Sequence, residues 1–175
     1  MAARHFPGEL ALGADTVVAL GDQALGKPTS PNEAVAMLRR LRGRTHQVIT
    51  AVSLARVGAP EAPPTVWERS SITEVWMREY TDADMEAYVA TGDPLDKAGS
   101  YAIQDADFHP VERIQGCFLT VVGLPLPEVL ELLGESGRPV PAVERGRLEA
   151  ICPACRDLRR LDLAASLGRQ TKPST

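Results

Sequence analysis

The run from Leu10 to Leu20 is almost wholly apolar and ends at Gly21-Asp22, which predicts a buried strand entering a tight turn, with Ala24-Leu25 opening the return. Ser30-Pro31-Asn32-Glu33 combines a capping residue, a proline at the first helical position and a glutamate three residues on. Ala34, Met37, Leu38 and Leu41 follow at helical spacing as far as Gly43, so a helix is predicted over roughly 31–42. The β-rich stretch from His46 to Val57 reads as a strand, Gly58 to Pro64 as a proline-rich loop, and Thr65 to Arg78 as a second strand with partial alternation. Thr81 and Asp84 open another helix, with Met85, Tyr88 and Val89 inward and Gly92 at its end. Strands are expected near Tyr101–Ile103 and over Val111–Val122, then a short helix from about Pro127 to Leu133.

After Gly137 the pattern changes to Arg138-Pro139-Val140-Pro141 and then to an arginine-rich helical stretch ending in polar residues. A boundary is placed there, giving one domain over 1–137 and a helical tail over 138–175. The chain has 175 residues, 44% of them hydrophobic and 24% charged, enough to bury a core and unlike disordered or disulfide-scaffold compositions. Its formal charge of -4 gives no general attraction to nucleic acid or to an anionic membrane. No signal segment precedes the first strand, and no apolar run reaches the roughly 20 residues of a membrane helix. Three cysteines fit a reducing compartment, so a cytoplasmic location is expected.

Asp15 is the one carboxylate in an otherwise apolar strand. Burying an unpaired carboxylate is costly, so it either faces a polar cleft, a cation or a metal, or it caps a neighbouring helix or sits at the strand edge. Lys27 lies between Gly26 and Pro28, where it is either a point charge for phosphate or a solvated loop lysine. The same choice holds for Lys97, beside small Ala98 and Gly99. Gln104 carries both a donor and an acceptor, suited to a base edge or to backbone at a strand end. His46 and His109 have no ligand-spaced partner and read as structural. Cys152 and Cys155 form a CxxC with no second pair, and Cys117 reads as a small core residue.

Taken in order, Gly13-Ala14-Asp15-Thr16-Val17-Val18, Gly26-Lys27-Pro28, Gly43-Arg44-Thr45-His46-Gln47-Val48, Gly92-Asp93-Pro94-Leu95-Asp96-Lys97-Ala98-Gly99, Ile103-Gln104 and Val121-Val122-Gly123-Leu124-Pro125 resemble the motifs of the Maf family over about residues 10–133. The resemblance implies an α/β fold with an elongated, twisted mixed sheet flanked by helices, two lobes around a cleft, and a homodimer. It implies hydrolysis of a nucleoside triphosphate at the α-phosphorus, yielding monophosphate and pyrophosphate, with a divalent cation, magnesium or manganese, spreading the charge. Asp15 matches the family's proton acceptor and a metal-binding position, and Lys27 and Lys97 match phosphate contacts. Thr16 and Gln104 resemble the branch acting on dTTP and UTP.

Members of that family also carry a Ser-x-x-Arg-Arg loop before the aspartate strand; no such motif occurs in this sequence, and an in-frame start further upstream is expected to supply it. Leu38-Arg39-Arg40 lies on the first predicted helix and belongs to a different position. Ala102 and Asp105 flank Ile103-Gln104 where glycine is usual, which is expected to narrow the base pocket. Two rival readings are a Maf-like nucleotide-binding or cell-division regulatory protein without turnover, and a zinc-linked dimer built through Cys152 and Cys155.

Overall fold

A computed structural model describes residues 8–58 and 62–138. Five strands form a single sheet in the order β2-β1-β3-β4-β5, where β1 is Leu10–Leu20, β2 Gln23–Leu25, β3 Thr45–Arg56, β4 Thr65–Met77 and β5 Val111–Gln115. Every pairing among them is antiparallel. The α/β class holds, with helices α1 (Pro31–Leu41), α2 (Asp82–Ala90), α3 (Phe118–Val122) and α4 (Leu126–Glu135) packed on that sheet.

Side-chain alternation explains which face is covered. Val18 pairs with Val48 and Val48 with Thr73, and all three are buried beneath the helices. One residue out of phase, Val17 pairs with Ile49 and Ile49 with Ile72, and both Val17 and Ile72 are exposed. An antiparallel sheet can carry a solvated face in this way.

Helix α1 forms for the reasons its sequence gives. The Ser30 hydroxyl accepts the Glu33 N–H at 3.2 Å, proline opens the first turn, and Ala34, Met37, Leu38 and Leu41 are buried. Thr81 and Asp84 close a full capping box on α2. The main core gathers Val18, Leu38, Leu41, Val48, Val75, Met85, Tyr88, Tyr101 and Phe108; a smaller cluster joins Val52 and Leu54 to Val129 and Leu132 of α4. Asp82 accepts from Arg39 at 2.8 Å and from Arg42 at 2.7 Å, joining the two helices. The Arg39 and Arg40 of the first helix are thus occupied on the fold's surface, Arg40 with Gln23.

Two predicted strands are corrected. Tyr101–Ile103 is not a strand but part of an irregular loop, because Ser100 before it adopts φ +63°, a left-handed conformation that breaks extended backbone. The run Val111–Val122 is a strand only to Gln115; Phe118–Val122 is helical. Gly116 at φ +133° ends the strand, Cys117 N–H donates to Thr73 Oγ1 at 2.9 Å, and Gly123 at φ +109° ends the helix. Cys117 therefore starts α3 rather than lying in a sheet. The tail and its CxxC lie outside the described residues.

Candidate functional site

Strand β1 is second in the sheet, pairing with β3 over residues 10–19 but with β2 only over residues 18–20, so among the described residues Asp15 and Thr16 lie on its unpaired outer edge. They are adjacent, and alternation turns them to opposite sides. The Thr16 hydroxyl meets Thr50 Oγ1 at 2.9 Å on the covered side. Asp15 is exposed, and its Oδ1 accepts the Thr16 N–H at 3.0 Å. That single bond is its only hydrogen bond among the described residues, so the second carboxylate oxygen is left for a ligand. Asp15 does not cap a helix.

A cleft of about 250 Å³ is lined by Asp15, Thr16, Lys27, Asp96, Lys97 and Gln104, with Tyr101 and Val121 among its apolar walls. All five residues singled out in the sequence therefore line one cavity, although they come from β1, the loop after β2, and the loops after α2. Asp15 also lines a second opening, of about 750 Å³, together with Ser53, Glu68 and Ser70 of β3 and β4. It stands at the junction of the two.

The two lysine loops are joined directly. Gly99 N–H donates to Gly26 O at 3.0 Å, which ties the residue before Lys27 to the loop that carries Lys97. Gly99 has φ +69°, and a Cβ there would lie 2.9 Å from Val18 Cγ2. Both the backbone conformation and the space require glycine.

Lys97 has all three ammonium protons engaged: Asp93 O at 2.8 Å, Asp93 Oδ1 at 3.0 Å and Asp96 Oδ1 at 2.8 Å. Burial on its own lowers an ammonium pKa, but the hydrogen bonds to Asp96 and Asp93 outweigh it and the pKa is raised. Asp96 is held below the usual carboxylate range, first by the Lys97 hydrogen bond and then by its charge, with a smaller contribution from Lys27. Lys27 itself is exposed at the cleft. Asp96 and Tyr101 line the same cleft and were not singled out in the sequence; adjacency to Lys97 was the one available signal for Asp96.

Gln104 is exposed at the tip of a turn. The Asp105 carboxylate next to it accepts the Phe108 N–H at 2.7 Å, so its extra bulk closes the turn instead of narrowing the cavity, whereas Ala102 is a cavity wall. Beneath the loop, His46 Nε2 lies 2.8 Å from the Tyr101 hydroxyl, the rings meeting edge to face. His46 Nδ1 is buried without a partner. Burial pushes the ring pKa down to about 4, which keeps it neutral. His109 lies in the exposed loop at φ +42°.

No three His, Cys, Asp or Glu side chains gather as a metal cage among the described residues. Asp15 still fits a magnesium-type ion, which commonly takes one or two protein carboxylates and completes its shell with phosphate oxygens and water. No described helix is long and apolar enough to cross a membrane.

The chain is similar to proteins named dTTP/UTP pyrophosphatase. That of Thermomicrobium roseum is 48% identical over 155 residues, 89% of this chain and 68% of its own. That of Anaeromyxobacter dehalogenans is 45% identical over 139 residues, 79% of this chain and 71% of its own. That of Gloeobacter violaceus is 48% identical over 137 residues, 78% of this chain and 69% of its own. The family model for Maf-like proteins matches residues 1–136, and with the motifs converging on one cleft, the chain belongs to that family.

Proposed function

We propose that this protein hydrolyses nucleoside triphosphates, with dTTP and UTP as the preferred class, to the monophosphate and pyrophosphate. The convergence of Asp15, Thr16, Lys27, Lys97 and Gln104 on one cleft carries the reading. Three relatives that bear the pyrophosphatase name support it.

In this reading a water oxygen bonds to the α-phosphorus as the bond from that phosphorus to the α,β-bridging oxygen breaks. The departing oxygen leaves as part of pyrophosphate. Asp15 orients the water and accepts its proton through the oxygen not engaged by the Thr16 amide. Lys27, exposed at the cleft, meets the phosphate oxygens as a point charge. Lys97 reaches phosphate once it exchanges its Asp96 partner for the ligand, keeping its bond to Asp93. A magnesium or manganese ion would be held by Asp15 and would neutralise charge developing on the phosphate oxygens. Gln104 and Thr16 face the base, where an amide and a hydroxyl discriminate by hydrogen bonding.

Hydrolysis of free nucleotides points to a cytoplasmic protein, where such pools are held, and the family resemblance supports a homodimer. The sequence boundary supports a catalytic unit over 1–137 with a separate tail over 138–175. The deciding test is pyrophosphate release from a panel of nucleoside triphosphates with magnesium or manganese, using this chain and one extended upstream in frame. Release from dTTP and UTP ahead of the purine nucleotides is expected; tight nucleotide binding with no release from either form favours the non-catalytic binding reading.

A further inference from the structure

The loop bearing Gln104 and the loop bearing Lys97 are both fastened to one side chain of α2. The Tyr88 hydroxyl accepts the Ala102 N–H at 3.1 Å and donates its own proton to Asp93 Oδ2 at 2.9 Å. The other oxygen of that carboxylate, Oδ1, accepts from Lys97 Nζ at 3.0 Å. A continuous series of hydrogen bonds thus runs from the backbone two residues before Gln104, through Tyr88 and Asp93, to the Lys97 ammonium.

The ring of Tyr88 holds the far end of the same loop. It stacks on Phe108 with centroids 4.5 Å apart and an interplanar angle of 16°. Phe108 N–H in turn donates to Asp105, the neighbour of Gln104. Tyr88 therefore fixes Ala102 with its hydroxyl and Phe108 with its face, and the exposed turn between them presents Gln104. Tyr88 is 4% exposed, and Tyr80 also packs against Phe108, tilted, with centroids 4.8 Å apart. Burial, followed by the hydrogen bond to Asp93, raises the phenol pKa, so the hydroxyl remains a donor throughout the working pH range.

From this arrangement we infer that Tyr88 is a specificity-determining positioning residue: with Asp93 it sets the base-reading Gln104 loop and the Lys97 loop at a fixed separation, so that only a nucleotide of matching base and phosphate geometry engages both. The inference rests on the pyrophosphatase reading of the cleft. Tyr88 contacts neither the reacting atoms nor the base; it acts through the loops it holds.

Tyr88→Phe in the full chain removes the hydroxyl and keeps the stacked ring. Two readouts are taken on it: amide hydrogen exchange of residues 102–108 without ligand, and kcat/KM for UTP, dTTP and CTP. Exchange at Ala102 and in the following turn is expected to quicken by about tenfold, the scale of one neutral hydrogen bond. The UTP to CTP preference is expected to contract by a similar factor, mainly through KM, and Asp93→Asn is expected to contract it in the same direction. Unchanged exchange at Ala102 overturns the anchoring, and an equal loss on all three nucleotides overturns the specificity role. Failure of both the wild-type chain and its upstream-extended form to release pyrophosphate from any nucleotide sinks the enzyme reading and with it the specificity role, while exchange still decides whether Tyr88 anchors the loop.

Discussion

Thr50 Oγ1 donates its single proton to Thr120 O at 2.7 Å and must therefore accept from Thr16 Oγ1, 2.9 Å away. The donor direction follows from counting protons. Thr16, at the cleft wall, has its hydroxyl hydrogen committed inward and offers only lone pairs to a ligand. Thr50 and Thr120 are fully buried, so the arrangement also pins the short helix α3, whose Val121 lines the cleft, to the sheet.

Thr50→Val keeps the shape of the side chain and removes both bonds. The Thr120 carbonyl loses its side-chain donor, keeping only the Gly123 N–H at 3.2 Å, and the Thr16 proton is released. A destabilisation of about 1–3 kcal/mol is expected, read as a lower urea midpoint at unchanged slope. Thr50→Ser, which keeps the hydroxyl, is expected to recover most of the polar part.

Asp15→Asn leaves an isosteric side chain on an exposed strand position with the Thr16 amide bond still possible. Turnover is expected to fall by about 10²–10⁴, the range for loss of a positioned proton acceptor, while the melting temperature stays close to wild type. Near-normal pyrophosphate release from this variant would remove Asp15 from the chemistry.

At Gly99 an alanine meets two penalties at once, the left-handed backbone and a Cβ 2.9 Å from Val18 Cγ2. Together they are expected to cost about 3 kcal/mol. A double-mutant cycle with Val18→Ala checks the assignment: part of the loss should return, because two of the three close atoms are Val18 methyls. Strict additivity would place the strain elsewhere.

His46 supplies a pH signature. Its pKa is about 4 in the fold because burial disfavours the charged ring, and about 6.5 unfolded. Between those values the unfolded chain binds the extra proton, so stability from this residue is complete above about pH 6.5 and is lost as the pH falls towards 4. The size is about 3 kcal/mol. His46→Gln should flatten the dependence of melting temperature on pH across that window; an unaltered slope would mean that other groups set it.

Much of the fold was legible because local chemistry and packing agree. Ser30 and Pro31 begin α1, Thr81 and Asp84 box the start of α2, and the strands at 45–56 and 65–77 alternate as half-buried strands do. The misread segments are those where distant contacts override local preference. Phe118–Val122 has the composition of a strand, yet Thr73 holds Cys117 on both its N–H and its carbonyl and turns the chain into a helix. Tyr101 and Ala102 are apolar and extended-looking, but their backbone follows from Ser100 and from the Tyr88 hydroxyl. The convergence of Asp15, Lys27, Lys97 and Gln104 was implied by a family pattern; the proton directions around Thr16, and Asp93 linking Tyr88 to Lys97, required coordinates.

The hydrogen bond from Gly99 to Gly26 fixes the spacing of the two lysine-bearing loops before any nucleotide arrives. Two flexible loops that close only around a triphosphate would each have to surrender backbone freedom at the moment of binding, at about 1–2 kcal/mol per residue ordered. Here that loss falls within folding itself, and the glycine whose missing side chain permits the contact makes the cleft preorganised, so in the proposed reading more of the contact energy with phosphate would remain as affinity.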